Sequence, residues 1–184
     1  DGRLAPLRER ARARGVPVLL GCDAAALPHA LAARRAWDLA GVQLRGDPSP
    51  ALLAEARAQL PPTWLLGRSC HGDPTPEALA GRLLVDYTCV APVFPPSTPQ
   101  RGVTKAAIGL RRLAAWCSDP AAPILALGGI SPERAPACLA AGARGIAAIG
   151  LFFGDPARAR QDVGAVVTAL QARDVQPLPP ESRP

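Results

Sequence analysis

The chain has 184 residues, of which 48% are hydrophobic and 20% are charged, and its mean hydropathy is +0.10. This length and apolar content suit one domain with a sizeable core, and they exclude a wholly disordered chain. No run reaches the roughly 18 to 20 unbroken apolar residues that a membrane helix needs. The sequence therefore predicts no membrane span.

The formal net charge is +6, and Lys105 is the only lysine among the 21 basic residues. The arginines are scattered along amphipathic segments, and aromatic residues make up only 4% of the chain. Nucleic-acid-binding proteins concentrate basic charge on one face and interleave aromatic side chains. We therefore interpret the arginines as a solvated surface and predict no nucleic-acid partner.

Five cysteines, an odd number, occur without CxxC or CxxH spacing. With no signal-peptide pattern at the start, this usage predicts a reducing, cytoplasmic location and argues against both a disulfide framework and a zinc site. The chain contains no methionine. We therefore expect Asp1 not to be the translation start, and a further segment or domain to precede it.

Short apolar runs alternate with helical patterns throughout the chain, and Gly, Pro and Ser mark the boundaries. Ser49-Pro50 and Thr75-Pro76 have the residue types of a helix N-cap followed by its first residue. The first half is predicted as helix Leu4–Arg14, strand Val16–Gly21, helix Ala24–Trp37, strand Gly41–Leu44, a helix from Ser49, strand Thr63–Ser69, a helix from Thr75 to about Leu84, and strand Asp86–Phe94.

The second half continues the alternation after a Pro-rich loop. Its predicted elements are helix Ala106–Trp116, strand Pro123–Leu127, a helix from Ser131 to Gly142, strand Gly145–Phe152 and a helix from Asp155 to about Arg173. Residues 1–174 are predicted to form the domain, and 175–184 a Pro-rich flexible tail.

The strands are continuously hydrophobic rather than alternating, which indicates burial on both faces and parallel pairing. An open doubly wound sheet and a (βα)8 barrel both satisfy this pattern. The last two units, with Gly128-Gly129 after one strand and Gly150 after the next, are typical of a barrel's phosphate site. We therefore predict an α/β fold, a (βα)8 TIM barrel that lacks its first two βα units in this chain, since about six strands are found.

Four motifs occur in consistent order and together are specific. They read Leu-Gly-Arg-Ser-Cys-His over 66–71, Asp-Tyr at 86–87 with Ala-Pro-Val-Phe-Pro over 91–95, Ala-Leu-Gly-Gly-Ile-Ser-Pro-Glu over 126–133, and Ala-Ala-Gly-Ala-Arg-Gly-Ile-Ala over 140–147. With these motifs the chain resembles the thiamine phosphate synthase/TenI family from about Leu4 to Leu170. That resemblance also implies a (βα)8 barrel.

The resemblance implies one of two activities in thiamine biosynthesis. Synthases of this family join an aminopyrimidine pyrophosphate to a thiazole phosphate and use magnesium. TenI-like members convert a thiazole carboxylate phosphate to its aromatic tautomer without a metal. Both use the same phosphate pocket, so a thiazole phosphate is the expected small-molecule ligand.

The glycines at the ends of the last two strands are the best candidates for binding the phosphate. Gly128 and Gly129 lack a Cβ, so their backbone N–H groups can approach an anion closely. A helix starting at Ser131 would add the positive end of its dipole. Gly150 matches the family's second phosphate-contacting turn.

His71 follows a strand at the end where barrel active sites lie, and its imidazole suits the proton transfer of a tautomerase. Ser69 is a candidate substrate contact on the same strand, whereas His29 is expected at the surface of a helix. Adjacent strand residues point to opposite faces, so Ser69, Cys70 and His71 do not form a nucleophile–base pair.

The residues for magnesium and pyrophosphate depart from the synthase pattern. Asp23 keeps one expected magnesium carboxylate, but the second falls on Pro48, with Asp47 one residue away. In the loop after Phe94 only Thr98 survives as a pyrophosphate contact, and the lysine of that motif is lost; Arg101 or Lys105 could replace it.

We therefore favour a TenI-like thiazole tautomerase with no cofactor. The alternatives are a thiamine phosphate synthase that uses Mg²⁺ through Asp23, and a non-catalytic module that binds a phosphate ligand. A homo-oligomer is left open.

Overall fold

The computed structural model describes residues 5–95, 105–118, 123–152 and 155–172. Within these ranges six parallel strands form one sheet, and each strand pairs with its sequence neighbours in the order β1-β2-β3-β4-β5-β6. The strands are β1 Leu19–Cys22, β2 Gly41–Leu44, β3 Leu65–Cys70, β4 Tyr87–Val90, β5 Ile124–Leu127 and β6 Gly145–Ala147. This consecutive parallel order is the one that the sequence predicts for a barrel.

Each strand is followed by a helix. Ser49 and Thr75 are the predicted N-caps, since their side chains accept hydrogen bonds from the backbone N–H groups of Leu52 and Ala78. The α-helices are α1 Ala5–Ala13, α2 Leu27–Trp37, α3 Pro50–Gln59, α4 Pro76–Ala80, α5 Gly109–Cys117, α6 Ala135–Ala140 and α7 Pro156–Gln171, with 3₁₀ turns at Ala24–Ala26 and Gly81–Leu84.

Several predicted boundaries are wrong. Strand β1 begins at Leu19 rather than at Val16, and β6 ends at Ala147 instead of Phe152. The helix expected from Ser131 begins only at Ala135. Proline explains part of this, because the ring of Pro17 removes a backbone N–H donor where β1 was expected to start, whereas a proline such as Pro132 is compatible with the first turn of a helix.

The expectation that the strands are buried on both faces holds for β3 and β4 after their first residues, whereas the two faces differ at β2 and β5. Val42 and Leu44 face the helices and are fully buried, whereas Gln43 between them is only partly buried. The same alternation places Gly67 and Ser69 on the concave face of β3 and Leu66 on the helix-covered face.

The helix-covered face holds two apolar clusters. One packs around Val42, Leu53 and Leu66, and the other around Val90 and Trp116. Arg68 lies on this face of β3 and is fully buried; its guanidinium donates to the Thr88 hydroxyl at 3.0 Å and to the Ala78 carbonyl at 2.5 Å. Its buried position lowers the pKa of this side chain.

Strands β1 and β6 do not pair with each other in the described residues, so the sheet is a six-stranded arc and not a closed barrel. The predicted tail at 175–184 lies outside the described residues. His29 is exposed on α2, as expected, and the five cysteines are free thiols. No helix in the described ranges has the length and apolarity of a membrane span.

Candidate functional site

The carboxyl ends of the strands open into a cavity of about 830 Å³. Parallel strands all end at the same edge of a sheet, so the loops that follow them share one mouth. His71 follows β3, Gly128 and Gly129 follow β5, and Gly150 follows β6, and all four residues line this cavity. The fold thus brings together the residues that the sequence suggests for proton transfer and for phosphate binding.

The remaining candidates lie elsewhere. Ser69 is on the concave face below the mouth, where its hydroxyl accepts a hydrogen bond from the Gln43 amide at 3.0 Å, and it does not line the cavity. Asp23 follows β1 and is exposed, with its carboxylate 3.4 Å from the Arg45 guanidinium. Thr98 lies outside the described residues. Substrate contacts for these three residues stay predictions.

The turn after β5 requires glycine at both positions. Gly128 and Gly129 have φ angles of +94° and +62°, a region that side chains disfavour. A Cβ at Gly128 would lie 2.7 Å from Pro92, and one at Gly129 would lie 2.5 Å from the carbonyl oxygen of Pro95. The β5 turn is therefore packed directly against the loop that follows β4.

Arg134 holds the β5 turn from outside. Its guanidinium donates to the Gly129 carbonyl at 2.8 Å and lies over the Phe94 ring, 4.9 Å from the ring centroid. This contact fixes the direction of the peptide that joins Gly129 to Ile130. Because the carbonyl oxygen of that peptide faces the arginine, its N–H faces away from the arginine.

Backbone N–H groups are available where an anion would bind. No described group accepts a hydrogen bond from the N–H of Gly129, Ile130 or Gly150, although all three residues line the cavity. Backbone polar groups are usually paired with protein or water, so a set of unpaired donors in a cavity can bind an anion.

The helix after the β5 turn does not add its N-terminus to this set, contrary to the prediction. Residues 131–134 form a turn, and the N–H of Ala135, the first residue of α6, donates to the Ser131 carbonyl. The N-terminus of α7 is capped by Asp155, which accepts from the N–H groups of Ala157 and Arg158. Loop amides, rather than a helix dipole, therefore form the candidate anion site.

Glu133 adds a carboxylate to the side of the cavity that the β5 turn forms. The Ser131 hydroxyl donates to Glu133 at 2.6 Å, and this hydrogen bond holds the pKa of Glu133 below its usual value. Glu133 is therefore ionised at neutral pH. Its negative charge limits how closely a phosphate can approach this residue.

The opposite wall is formed by side chains. Both oxygens of the Asp47 carboxylate accept from His71, one from the backbone N–H at 2.6 Å and one from Nδ1 at 2.7 Å. Lys105 lies 3.8 Å from the same carboxylate, and both Lys105 and Arg45 line the cavity. This wall therefore combines an oriented imidazole with two cations.

Helix α5 holds the loop that carries His71. The indole N–H of buried Trp116 donates to the Gly72 carbonyl at 3.1 Å, and Arg112 lies 2.6 Å from the Asp73 carboxylate. Together with Asp47, these contacts fix the backbone immediately after β3. The imidazole is thus held on a rigid segment rather than on a free loop.

A family model for thiamine monophosphate synthase, TMP-TENI, matches residues 6–152. The chain belongs to this family. It is 39% identical over 117 residues to the thiamine-phosphate synthase of Mycobacterium bovis. This match covers 62% of this chain and 51% of that protein. It is 36% identical over 148 residues to the thiamine-phosphate synthase of Azoarcus sp., with 80% of this chain and 66% of that protein covered.

The chain thus spans about half the length of the first of these curated TMP-TENI relatives. Among solved structures it is similar to thiamine phosphate pyrophosphorylase from Pyrococcus furiosus, with a TM-score of 0.69 at 24% identity over 90% of this chain and 73% of that one. At this identity the likeness shows the fold alone. It supports the interpretation of the six-stranded arc as a TIM-barrel-like α/β fold.

Magnesium was predicted only for the synthase activity of the family, with Asp23 as a ligand. Mg²⁺ requires several oxygen ligands in near-octahedral order. The Asp23 carboxylate faces Arg45, and both Asp47 oxygens are bonded to His71. Across the described residues no group of three or more His, Cys, Asp or Glu side chains could hold a metal ion. These residues do not fit a magnesium ion held by the protein.

Sequence reasoning missed two contacts that shape the site in this TMP-TENI chain. Asp47 was considered only as a displaced metal ligand, although it binds His71 across 24 residues. Arg134 was not singled out, because nothing in a helix-starting Ser-Pro-Glu-Arg pattern indicates that its guanidinium turns back to Gly129. Both contacts depend on how loops meet across the mouth.

Proposed function

We propose that this chain binds a thiazole phosphate in the cavity and acts in the thiamine-phosphate synthase reaction, which joins that phosphate to an aminopyrimidine pyrophosphate. The observation that carries the proposal is the convergence of unpaired N–H groups of Gly129, Ile130 and Gly150 on one cavity. The family membership and the curated relatives named thiamine-phosphate synthase support the reaction.

The two walls suit the two parts of such a reaction. The glycine wall, the side of the cavity lined by Gly128, Gly129 and Gly150, would hold the phosphate of the thiazole. Backbone donors in a partly closed site bind anions without a counter-charge. Arg45 and Lys105 on the opposite wall would attract the diphosphate of the second substrate through their positive charge. The space between the walls then receives the two rings.

Thiazole phosphate binding is tested first, by calorimetry on the 184-residue chain. We expect binding that inorganic phosphate competes for, and at least about tenfold weaker binding in Gly129→Ala because a side chain there displaces the turn. Binding of wild-type chain that is no tighter than that of the variant would reject the phosphate site.

The reaction is tested by adding the aminopyrimidine pyrophosphate and measuring both the coupled product and released diphosphate. Parallel samples contain Mg²⁺ or EDTA, which compares turnover with and without the metal. Coupled product above the no-protein control supports the synthase. Tight thiazole phosphate binding without product identifies a binding module instead.

A second candidate is the tautomerisation of a thiazole carboxylate phosphate, and the His71–Asp47 pair favours it. Tautomerisation removes a proton from one position and returns one at another, so it needs an acid–base group and no metal. An imidazole fixed by a carboxylate at 2.7 Å is suited to that task. Formation of the aromatic product in EDTA, above the buffer rate, supports this activity, and no acceleration rejects it.

A further inference from the structure

The contact between Asp47 and His71 is the most tightly defined side-chain interaction in the cavity. One carboxylate oxygen accepts from the backbone N–H of His71 at 2.6 Å, and the other lies 2.7 Å from Nδ1. Two bonds from one carboxylate to the same residue fix both the backbone and the ring. A single hydrogen bond from the carboxylate would leave either the His71 backbone or its ring unrestrained.

Asp47 reaches His71 only because of the turn that carries it. Gly46 and Asp47 follow β2 with φ angles of +85° and +56°. A non-glycine residue at positive φ is uncommon and costs about 1 kcal/mol or more, although Asp tolerates it better than most. Such conformations persist where surrounding contacts hold them, and the two bonds to His71 supply that restraint.

The pairing sets the tautomer of the imidazole. An ionised carboxylate only accepts hydrogen bonds, so the ring nitrogen beside it must carry a proton. In the neutral ring the proton therefore sits on Nδ1, and Nε2 is left as the acceptor. In the described residues Nε2 has no hydrogen-bond partner, and His71 lines the cavity with about a quarter of its side chain exposed.

Other charged groups around the pair are consistent with this arrangement. Lys105 lies 3.8 Å from the Asp47 carboxylate, at the same oxygen that contacts Nδ1, and its positive charge favours the ionised carboxylate. Asp73, two residues beyond His71, is paired with Arg112 at 2.6 Å. Asp73 is therefore not a competing partner for the imidazole.

We propose that Asp47 is a positioning residue that holds His71 as the Nδ1–H tautomer, so that Nε2 is the proton acceptor presented to a ligand in the cavity. For the identity of that ligand the inference rests on the second candidate of the proposed function, the tautomerisation of a thiazole carboxylate phosphate. The proton transfer conserves charge: Nε2 takes a proton from the ligand and returns it at another position. Asp47 keeps its charge throughout.

The tautomer is read directly by NMR of the chain labelled with ¹⁵N-histidine. The sequence has two histidines, and His29→Gln assigns the signals of the exposed residue. At a pH where the imidazole is neutral, we expect Nδ1 of His71 to be protonated and Nε2 to be unprotonated. Asp47→Asn should shift the population toward the Nε2–H form, whereas Asp73→Asn, on the same loop, should leave it unchanged.

A predominant Nε2–H form in the wild-type chain, or the same tautomer in Asp47→Asn, would overturn the proposal. Both outcomes are independent of turnover. Failure of this inference is therefore distinguishable from failure of the proposed function, which the thiazole phosphate binding experiment tests separately.

Kinetics of the tautomerisation of the thiazole carboxylate phosphate provide the second readout. We expect Asp47→Asn to lower kcat about tenfold or more while KM changes less than about twofold, since the ligand's phosphate contacts remain. The double variant Asp47→Asn/His71→Gln should be no slower than His71→Gln alone, because Asp47 acts through the imidazole. Additive losses would assign Asp47 a role that does not involve His71.

Discussion

The two walls of the cavity are built by different means. The glycine wall, at Gly128, Gly129 and Gly150, presents backbone amides, and at Gly128 and Gly129 its shape depends on a turn that glycine adopts without strain. The imidazole wall presents His71, held by Asp47 from another loop. Backbone geometry dictates the first wall, whereas contacts between distant side chains dictate the second.

This difference predicts how each wall responds to mutation. A substitution in the glycine wall should change the course of the backbone, and so should weaken ligand binding and stability together. A substitution in the imidazole wall removes one contact from a network that several residues share. It should change the chemistry or local order more than the overall fold.

The largest effect is expected for Gly129→Ala. Its Cβ would lie 2.5 Å from the Pro95 carbonyl oxygen, at a φ of +62°. We expect a free energy of unfolding lower by about 2–4 kcal/mol and the loss of ligand affinity described above. Gly164→Ala is the matched control, because no atom lies within 4 Å of its Cβ position on α7. It should be neutral or stabilising by up to about 1 kcal/mol.

Chemical denaturation of both variants measures this difference. Equal stability of Gly129→Ala and the wild-type chain would mean that the β5 turn adapts readily to a side chain. The backbone of the glycine wall would then tolerate substitution as well as the imidazole wall does.

The glycine wall was also the part of the site that could be predicted from the sequence. Gly128-Gly129 after an apolar run is a local pattern, and its position at the end of a parallel strand follows from the alternation of elements. The β5 turn needs positive φ angles, which glycine adopts without strain, so the residue type itself indicates the turn. The helix expected from Ser131 begins only at Ala135, and the Ser131 hydroxyl donates to Glu133 instead of capping a backbone N–H group.

The imidazole wall could be predicted only in part. The sequence indicates His71 by its place after a strand, but its partner Asp47 lies 24 residues earlier and was considered only as a carboxylate one residue away from the expected magnesium ligand position. No local pattern shows which loops meet across the mouth. The partial exposure of β2 and β5 on the concave face was missed for a related reason, since continuous apolar runs do not show which side chains an open sheet leaves uncovered.

Trp116→Phe tests the support of the imidazole wall and should have the next largest effect. It removes the indole N–H that donates to the Gly72 carbonyl and leaves unfilled volume at a fully buried site. We expect the free energy of unfolding to fall by about 1–3 kcal/mol. Hydrogen exchange at the His71 amide, which donates to Asp47, should accelerate more than exchange at Val93 and Phe94, whose amides donate to the carbonyls of Leu127 and Gly128. Equal acceleration in both segments would mean that the walls are not supported separately.

Arg134→Ala probes the glycine wall without adding a side chain to it. The variant loses the 2.8 Å bond to the Gly129 carbonyl and the contact with the Phe94 ring. Because Arg134 is largely exposed, we expect stability to change by less than about 1 kcal/mol while thiazole phosphate binds about three- to tenfold more weakly. Arg160→Ala, at an exposed position of α7, should bind as the wild-type chain does. Equal binding by both variants would remove Arg134 from the site.

Arg112→Gln should have the smallest effect, although its 2.6 Å contact with Asp73 is among the shortest in the imidazole wall. Both side chains are substantially exposed, at 44% and 65%, and exposed ion pairs contribute about 0–1 kcal/mol because water solvates the separated charges well. Trp116 on the buried side and the partly exposed Asp47 would still hold the loop. We therefore expect denaturation curves and the His71 tautomer to match those of the wild-type chain. A loss as large as that of Trp116→Phe would show that the loop depends on its exposed contact, and that the imidazole wall is held from the solvent side.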